Sequence, residues 1–374
     1  MKIWCITGSL FLLLIACRPS ADFSILVEGL APYEGYQAYL MKEDLNDPSL
    51  TDTISAGVVR HEKVILRGTL ESPDQVTLVV TDNERFPVIY RFILETGKLQ
   101  LYPDKQQEFI VAGGKYNDEI INSWKNTSTY DSLMQLYKSK NTSAKTKEER
   151  SQVISLFREI TKLKSEALTT LAQNASDPMS RLLATISGAT LKINEKLEII
   201  EQTEQKMGET PTSRRWKAFY QGQQQREELK RQLRSGGQYI DFTAPDLQGN
   251  TYRVKDVLKN NRYILIEFWA SWCKPCRTEI PHLKEAYEKY HPKGFEIISY
   301  SLDKEKQNWL RASTEEALPW LNLSDLKGPG SSIVNAYAVD GIPANFMIET
   351  TTGKIIATDL RQKHLSEELA KRMD

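Results

Sequence analysis

A Cys-x-x-Cys motif lies within Phe268-Trp269-Ala270-Ser271-Trp272-Cys273-Lys274-Pro275-Cys276-Arg277, the most informative segment for the fold of the C-terminal part of this chain. The apolar run at residues 263–266 predicts a buried strand before the motif. After the motif, apolar residues at 280, 283 and 287 recur at helical spacing. The two cysteines therefore lie where a strand passes into a helix, with Cys273 at or near the N-cap of that helix.

The predicted position of the cysteines favours thiol chemistry. Unpaired backbone N–H groups and the positive end of the helix dipole favour a thiolate at Cys273 over a thiol. Cys276 lies one helical turn further on the same face, close enough to form a disulfide with Cys273. A dithiol in this position attacks another disulfide, and the second cysteine then resolves the mixed disulfide. The cation of Lys274 and the stiffness of Pro275 help to set the redox potential.

The residues around the motif resemble the active-site strand and helix of thioredoxin-like proteins. The resemblance rests on Ile266-Glu267-Phe268-Trp269-Ala270 and on Trp272-Cys273-Lys274-Pro275-Cys276. The continuation Arg277-Thr278-Glu279-Ile280-Pro281 is similar to the TlpA/ResA branch of envelope thiol–disulfide oxidoreductases. The similar region covers about the last 135 residues. This resemblance implies an α/β thioredoxin fold at the C-terminus, with helices on both faces of a mixed sheet, and it favours reduction of protein disulfides.

The resemblance gives roles to two carboxylates. Glu267, six residues before Cys273, stands where thioredoxins carry a buried aspartate. A carboxylate inside an apolar strand is costly when charged, so we expect a raised pKa and proton exchange between Glu267 and Cys276. Glu279 matches a glutamate that the TlpA/ResA branch uses in proton handling. The alternatives are an outward-facing strand residue for Glu267 and a solvated helix-surface residue for Glu279.

A substrate-binding loop is also implied by the resemblance. Gly341-Ile342-Pro343 matches the loop whose proline follows a cis peptide bond in thioredoxin-like folds. Most X–Pro bonds are trans, so an ordinary trans turn is the alternative. A cis bond would turn Ile342 toward the dithiol, where its backbone can pair with an extended substrate as an added strand does. We expect Trp272, Ile342 and Pro343 to contact the substrate.

The N-terminus carries a predicted secretory signal. The apolar run at residues 10–15 is too short to span a bilayer, and it leads into Leu14-Ile15-Ala16-Cys17, which resembles a bacterial lipoprotein processing box. Cleavage before Cys17 would make this residue an acylated N-terminus and a lipid anchor. A plain secretory signal followed by a chance cysteine is the alternative. Cys5 would leave with the signal, so the mature chain would keep Cys273 and Cys276 as its thiols.

The chain is predicted to contain a signal peptide at 1–16 and three further parts. Residues 17–115 read as an antiparallel β-sandwich, because short apolar strands follow one another without intervening helices. This part resembles the β-rich domain of unknown function that often precedes a thioredoxin domain in envelope lipoproteins. Amphipathic runs with few glycines and prolines make 116–235 a helical connector. The pair Gly236-Gly237 opens the thioredoxin-like domain at 236–374.

Composition and spacing argue against several other functions. Lys plus Arg and Asp plus Glu are equal at 49 each, so no basic field exists to attract nucleic acid. A zinc site needs more ligands than one Cys-x-x-Cys, and we expect no metal and no cofactor. Peroxiredoxins carry a Pro-x-x-x-Thr-x-x-Cys pattern, but Ile266 and Ala270 stand at these positions before Cys273. The pattern is also missing before Cys276, so peroxidase activity is disfavoured.

These patterns together predict a lipid-anchored thiol–disulfide oxidoreductase of the cell envelope, facing the periplasm. We expect disulfide-bearing envelope proteins as substrates and a membrane-bound thiol protein as electron donor. The contact with the membrane would be the lipid anchor at Cys17. An alternative is a partner-binding lipoprotein in which the β-rich domain has the main function and the dithiol is auxiliary.

Overall fold

A computed structural model of the 374-residue chain provides the fold. It describes residues 21–45, 51–82, 87–103, 109–125, 127–234 and 236–374. The predicted signal peptide and the lipidation residue Cys17 lie outside the described residues. The chain divides into two compact units, Met1–Gly222 and Gln223–Asp374. Within the described ranges, no helix combines the length and the apolar character that crossing a membrane requires.

In the part of the chain that the structure describes, eight strands build the first unit as two four-stranded sheets. The strands are β1 (Ala21–Val27), β2 (Gln37–Glu43), β3 (Thr51–Val58), β4 (Val64–Leu70), β5 (Asp74–Thr81), β6 (Val88–Leu94), β7 (Gly97–Pro103) and β8 (Phe109–Ala112). One sheet has the order β4-β1-β7-β8 and the other the order β3-β2-β5-β6. Neighbouring strands are antiparallel except for β1 and β7, which run parallel. The predicted antiparallel sandwich is confirmed, with one parallel pair that the sequence pattern does not reveal.

One hydrophobic core is shared by the two sheets of the first unit. Alternate residues of β1, Phe23, Ile25 and Val27, are buried in it. Leu40 of β2 and Leu78 of β5, which belong to the other sheet, join the same cluster. Successive side chains of a strand point to opposite faces, so each sheet supplies one apolar face. Burial of these two faces against each other produces the sandwich.

Helices follow the sandwich along the chain. They are α1 (Lys115–Lys125), α2 (Ser128–Ser143), α3 (Lys147–Asn174), α4 (Pro178–Ile186), α5 (Ile193–Met207) and α6 (Pro211–Arg234). Thr146 and Glu149 form a capping box at the start of α3, which satisfies N–H groups that lack a helical partner there. The division between the two units falls inside α6, so the sandwich and α1 to α5 lie in one unit. The glycine pair Gly236-Gly237 lies further toward the C-terminus than this division.

A buried carboxylate joins the sandwich to the first half of α6. Asp74 in β5 is 1% exposed and accepts hydrogen bonds from Arg215 Nη1 at 2.7 Å and from the indole N–H of Trp216 at 3.0 Å. Lys42 of β2 forms an ion pair with the same carboxylate at 2.7 Å. A buried charge is tolerated when it is both paired and hydrogen-bonded. This network therefore fixes the start of α6 on the sandwich.

The second unit contains a short hairpin and a five-stranded mixed sheet. The strands are β9 (Thr243–Pro245), β10 (Thr251–Arg253), β11 (Tyr263–Trp269), β12 (Phe295–Ser301), β13 (Leu321–Leu323), β14 (Ala344–Glu349) and β15 (Lys354–Thr358). β9 and β10 pair as an antiparallel hairpin, and the sheet has the order β13-β12-β11-β14-β15. β11, β12 and β13 are parallel, whereas β14 runs antiparallel to β11 and β15.

Helices cover both faces of this sheet. They are α7 (Val254–Leu258), α8 (Lys274–Tyr290), α9 (Lys306–Glu315), α10 (Ser332–Ala336) and α11 (Lys363–Met373). Leu265 of β11 belongs to a cluster with Leu283 of α8 and Leu369 of α11. Ile264, the preceding residue of the strand, belongs to a cluster with Val254 of α7 and with α10. The predicted thioredoxin fold is therefore confirmed.

The sequence of residues 309–320 has a helical pattern, but the helix in the structure ends earlier. α9 ends at Glu315, and Leu321–Leu323 form β13 at the edge of the sheet. Trp320 is buried, and its indole N–H donates to Ser299 Oγ at 2.9 Å. Contact with the sheet therefore overrides the helical pattern in this segment.

Asp74→Ala should destabilise the first unit, because it leaves Arg215 and Trp216 without their buried acceptor. We expect a loss of about 3 kcal/mol or more in the free energy of unfolding. Differential scanning calorimetry, which resolves units that unfold separately, measures it. Glu166→Ala, which removes an exposed ion pair with Lys162 on α3, is the matched control and should change stability by less than about 0.5 kcal/mol. Equal effects of the two variants would contradict the role of the Asp74 network.

Candidate active site

The strand β11 leads directly to the two cysteines. All seven residues of β11 are buried, and the chain leaves the sheet at Trp269. Cys273 is the N-cap of α8, as predicted, and its N–H donates to the carbonyl of Ala270 at 3.0 Å. The N–H of Cys276 donates to Cys273 Sγ at 3.2 Å. A backbone donor at a helix N-terminus that is directed at sulfur stabilises negative charge on that sulfur.

Cys273 and Cys276 form a disulfide, with Cα atoms 5.3 Å apart and sulfur atoms 2.03 Å apart. Cys273 is 4% exposed and Cys276 is fully buried. Trp272, in contrast, is 63% exposed, and it adjoins Cys273 in the chain. Both cysteines are thus buried, and a large exposed aromatic ring directly precedes Cys273 in the chain.

A buried aspartate holds the loop that precedes Cys273. Asp303 follows β12 in the chain and is 2% exposed. Its carboxylate accepts hydrogen bonds from the Ser271 N–H at 2.9 Å, the Ser271 hydroxyl at 2.5 Å and the Ser301 hydroxyl at 2.7 Å. Three donors compensate the lost hydration of this carboxylate. The loop from β11 to α8 is thereby tied to the end of the neighbouring parallel strand β12.

Glu267 lies inside the second unit and is 4% exposed. It shares a face of β11 with Tyr263 and Leu265, which pack in one cluster with residues of α8 and α11. Because α8 runs back along β11, a residue near the end of the strand lies beneath the first turns of the helix. The alternative of an outward-facing strand residue is therefore wrong.

Burial raises the pKa of the Glu267 carboxyl to about 8, chiefly because the charged form loses its hydration. The Ser299 hydroxyl donates to Glu267 Oε2 at 3.1 Å, which lowers the pKa. The charge of Arg361 also lowers the pKa, whereas the charge of Glu279 raises it. At neutral pH the Glu267 carboxyl is consequently protonated for the most part, and a small fraction of it is ionised.

Glu279 lies one turn after Cys276 on α8 and is half-buried. Its Oε2 accepts a hydrogen bond from the backbone N–H of Gln362 at 3.0 Å. Gln362 directly precedes α11, so Glu279 joins α8 to the start of that helix. This contact shows that Glu279 is held by a neighbouring element, although its side chain stays partly exposed to solvent. Its part in proton handling stays a prediction.

The loop before β14 contains the expected cis bond, between Ile342 and Pro343. Ile342 is half-buried and packs against the main core of the unit. The Pro343 carbonyl accepts a hydrogen bond from Arg361 Nη2 at 2.5 Å. Asp340, just before the loop, is paired with Arg226 and Lys230 of α6. The loop is thus held on both sides, and its contact with a substrate stays a prediction.

Several residues of the site have no signature in the local sequence. Asp303 and Ser299 reach the site from β12, and Arg361 reaches it from the segment before α11. Asp303 could have been inferred, because polar residues at the carboxyl ends of neighbouring parallel strands meet at one edge of a sheet. Nothing near Arg361 in the sequence indicates that it contacts Pro343.

Comparison with known proteins connects this site to thiol–disulfide chemistry. Residues 235–358 match the AhpC/TSA family. The chain is 32% identical over 133 residues to the thiol-disulfide oxidoreductase ResA of Bacillus anthracis, an alignment that covers 34% of this chain and 70% of that protein. It is 31% identical over 157 residues to ResA of a Bacillus cereus strain, with 40% of this chain and 82% of that protein covered. A solved thiol-disulfide oxidoreductase from Bacteroides fragilis shares 30% identity over 36% of this chain and 98% of that chain, with a TM-score of 0.34.

The raised pKa of Glu267 makes stability depend on pH. The carboxyl ionises near pH 4.5 when unfolded and near pH 8 when folded, so between these values the folded chain binds one proton more. Stability from this group should therefore fall as the pH rises through that window, by up to about 1.4 kcal/mol per pH unit. The variant Glu267→Gln lacks this loss, so its free energy of unfolding should rise relative to that of the parent chain from pH 5 to 8. Above pH 8 the difference should stay constant.

Chemical denaturation at pH 5, 6.5 and 8 measures the stability difference between Glu267→Gln and the parent chain. Glu285→Gln, at an exposed position of α8, is the control and should follow the parent at all three pH values. A difference for Glu267→Gln that stays constant with pH would show that Glu267 does not hold its proton in the folded chain.

Proposed function

The chain belongs to the family of ResA-like thiol-disulfide oxidoreductases, and we propose that it reduces disulfide bonds of proteins in the cell envelope. The proposal rests chiefly on the Cys273–Cys276 pair at the N-terminus of α8. Both cysteines are buried, Cys273 at 4% exposure and Cys276 completely. This arrangement suits a dithiol that attacks with one cysteine and resolves with the other.

The proposed reaction has two thiol–disulfide exchanges. In the reduced enzyme, the Cys273 thiolate attacks one sulfur of the substrate disulfide, the substrate S–S bond breaks, and the other substrate sulfur leaves as a thiolate. The Cys276 thiolate then attacks Cys273 Sγ, which breaks the mixed disulfide and releases the second substrate sulfur. Two electrons and two protons pass to the substrate, and the Cys273–Cys276 disulfide remains.

Glu267 and Glu279 are the proposed proton carriers. The ionised fraction of Glu267 takes the proton of Cys276 when that thiol becomes the nucleophile. A carboxyl with a pKa of about 8 is close to the usual value of a thiol, so this transfer costs little free energy. Glu279 is on the same helix as Cys276 and nearer to solvent, and it passes protons toward the departing substrate thiolate.

Trp272, Ile342 and Pro343 are the proposed substrate contacts. The exposed ring of Trp272 offers apolar area beside Cys273. The backbone around Ile342 and Pro343 pairs with an extended substrate segment, as an added strand pairs with the edge of a sheet. Main-chain pairing of this kind accepts many sequences, which suits an enzyme that acts on disulfides of different proteins.

We place the enzyme on the outer side of a membrane, held by a lipid at Cys17 after removal of residues 1–16. Disulfides that need reduction occur mainly in such oxidising compartments. Each turnover leaves the enzyme oxidised, so a membrane-bound thiol protein must return two electrons to Cys273 and Cys276. In this arrangement the sandwich and the helices of the first unit separate the dithiol from the lipid anchor along the chain.

A second candidate function is binding of a partner protein by the first unit, with the dithiol as an auxiliary. A cavity of about 340 Å³ in this unit is lined by Tyr90, Phe109, Trp124 and Tyr130. Ile89 is at its rim and is 62% exposed. Concave, aromatic surfaces of this size are typical of binding sites.

Cys276→Ser should stop the reaction after the first exchange, because the mixed disulfide then lacks its resolving thiol. With a peptide that carries one disulfide, this variant should accumulate a covalent adduct at Cys273, visible by mass spectrometry without reductant. Cys273→Ser should form no such adduct, and its rate of peptide disulfide reduction should be at least about 100-fold lower than that of the parent chain. An adduct on Cys276 of Cys273→Ser with unchanged rate would reverse the proposed order of attack.

A cellular assay separates the two candidate functions. The assay asks which variant restores the wild-type phenotype to cells that lack the protein. Failure of Cys273→Ser together with success of Ile89→Asp supports the reductase. The opposite result supports partner binding by the first unit.

The reduction potential of the Cys273–Cys276 pair tests the direction of electron flow. Equilibration of the full chain with glutathione buffers should give ~−270 mV or lower, the range of thioredoxin. A value near ~−120 mV, the range of DsbA, would make the enzyme an oxidant and would contradict the proposed reduction.

A further inference from the structure

The segment between β15 and α11, residues 359–362, contacts the active site at more than one point. Building on the proposed reductase function, we propose that Arg361 is a positioning residue of the exchange. It holds the backbone at Pro343 and places a positive charge near Glu267, so that substrate seating and proton transfer are coupled through one side chain.

Asn345 fixes this segment on the sheet. Its side-chain amide donates to the Leu360 carbonyl at 2.7 Å and accepts from the Leu360 N–H at 2.9 Å. The Asn345 carbonyl accepts from the Asp359 N–H at 3.0 Å. Asn345 is 2% exposed and lies directly opposite Glu267 in the pairing of β14 with β11. The segment therefore has a defined position relative to Glu267.

The guanidinium of Arg361 contacts the proposed substrate-binding loop. Nη2 donates to the Pro343 carbonyl at 2.5 Å, and Nη1 donates to the Leu360 carbonyl at 2.8 Å. The side chain is 27% exposed, so water screens its charge only in part. Its ion pair with Asp359 is long, at 3.9 Å, and Asp359 also accepts a hydrogen bond from Arg234 at 3.2 Å.

The next residue turns the segment toward α8. Gln362 has a φ of 47°, in the left-handed region that residues other than glycine seldom adopt. In this conformation its N–H donates to Glu279 Oε2 at 3.0 Å. One short segment thus contacts Pro343 through Arg361 and Glu279 through Gln362. Backbone conformations of this kind persist where surrounding contacts determine them.

Two opposite charges act on Glu267 from the elements packed around it. Glu279 of α8 is negative and disfavours its ionisation, whereas Arg361 is positive and favours it. The strands on either side of β11 place uncharged residues beside Glu267, Ser299 on β12 and Asn345 on β14. The Ser299 hydroxyl and Arg361 both favour the ionised, proton-accepting form of Glu267, and Arg361 is the one of the two that carries a charge.

The double contact of Arg361 has a thermodynamic consequence. A substrate that pairs with the backbone at Pro343 acts on the same guanidinium that favours ionisation of Glu267. If seating shifts the guanidinium relative to Glu267, substrate binding changes proton affinity, and protonation changes substrate affinity by the same factor. The proton affinity of Glu267, the proposed proton acceptor for Cys276, then changes when the substrate binds.

Carbon-13 NMR of the Glu267 carboxyl, in the oxidised full chain, tests the charge effect without requiring activity. Arg361→Gln should raise the Glu267 pKa by about half a unit or more, whereas Arg361→Lys, which keeps the charge, should leave it near the parent value. Arg372→Gln, which breaks an ion pair with Glu368 on α11, is the control and should change nothing. An unchanged pKa in Arg361→Gln would overturn the inference.

Stopped-flow reduction of a peptide disulfide by the prereduced full chain, from pH 5 to 10, tests the coupling. Both Arg361 variants should raise KM about threefold or more, because neither replacement offers the planar pair of donors. Arg361→Gln should also shift the pH profile of kcat upward, and this shift should vanish in a Glu267→Gln background.

A shift in the pH profile that persists in the Glu267→Gln background, or an unchanged KM in both variants, would overturn the coupling. Lack of reduction by the parent chain would refute the proposed function instead. The NMR titration would in that case still decide whether Arg361 acts on Glu267.

Discussion

The junction between the buried strand β11 and the helix α8 is the constraint on which the rest of the site depends. β11 is buried along its whole length because it is central in the sheet and covered on both faces, so its last residue has a fixed position. The helix that follows must begin there, and its first turn directs a backbone N–H at Cys273. Stabilisation of a thiolate at Cys273 is consequently a property of the fold as much as of the motif.

Two carboxylates beneath this junction are buried to a similar degree but surrounded differently. Asp303 accepts three hydrogen bonds from Ser271 and Ser301, which hold the loop in place. Glu267 accepts one from Ser299, and its pKa is raised to about 8 by burial. A carboxylate with several donors is suited to structure, whereas one with few donors in an apolar site is suited to proton transfer. The number of donors, rather than burial alone, distinguishes the surroundings of the two carboxylates.

Sequence reasoning identified the parts of the site that belong to continuous motifs. The Cys-x-x-Cys pair and the N-cap position of Cys273 follow from a strand pattern that runs into a helix pattern, whereas the burial of Glu267 was expected from the family resemblance. The cis bond before Pro343 required the family resemblance, because local sequence favours trans. Sequence reasoning missed Asp303 and Arg361, since their partners are distant in the chain. The helical pattern of residues 309–320 also runs past the end of α9, because contact with the sheet overrides local helical preference near Trp320.

The sequence by itself determined the class of chemistry, the sandwich and the thioredoxin fold. Hydrophobic periodicity and a spaced pair of cysteines are local properties, so they can be recognised in the sequence without a structure. The tertiary structure alone decided which polar groups surround Glu267 and Pro343. Pairing of β11 with β12 and β14 brings Ser299 and Asn345 beside Glu267, and the segment before α11 brings Arg361 to Pro343. Electrostatic interactions depend on distance and burial, which the order of residues along the chain does not specify.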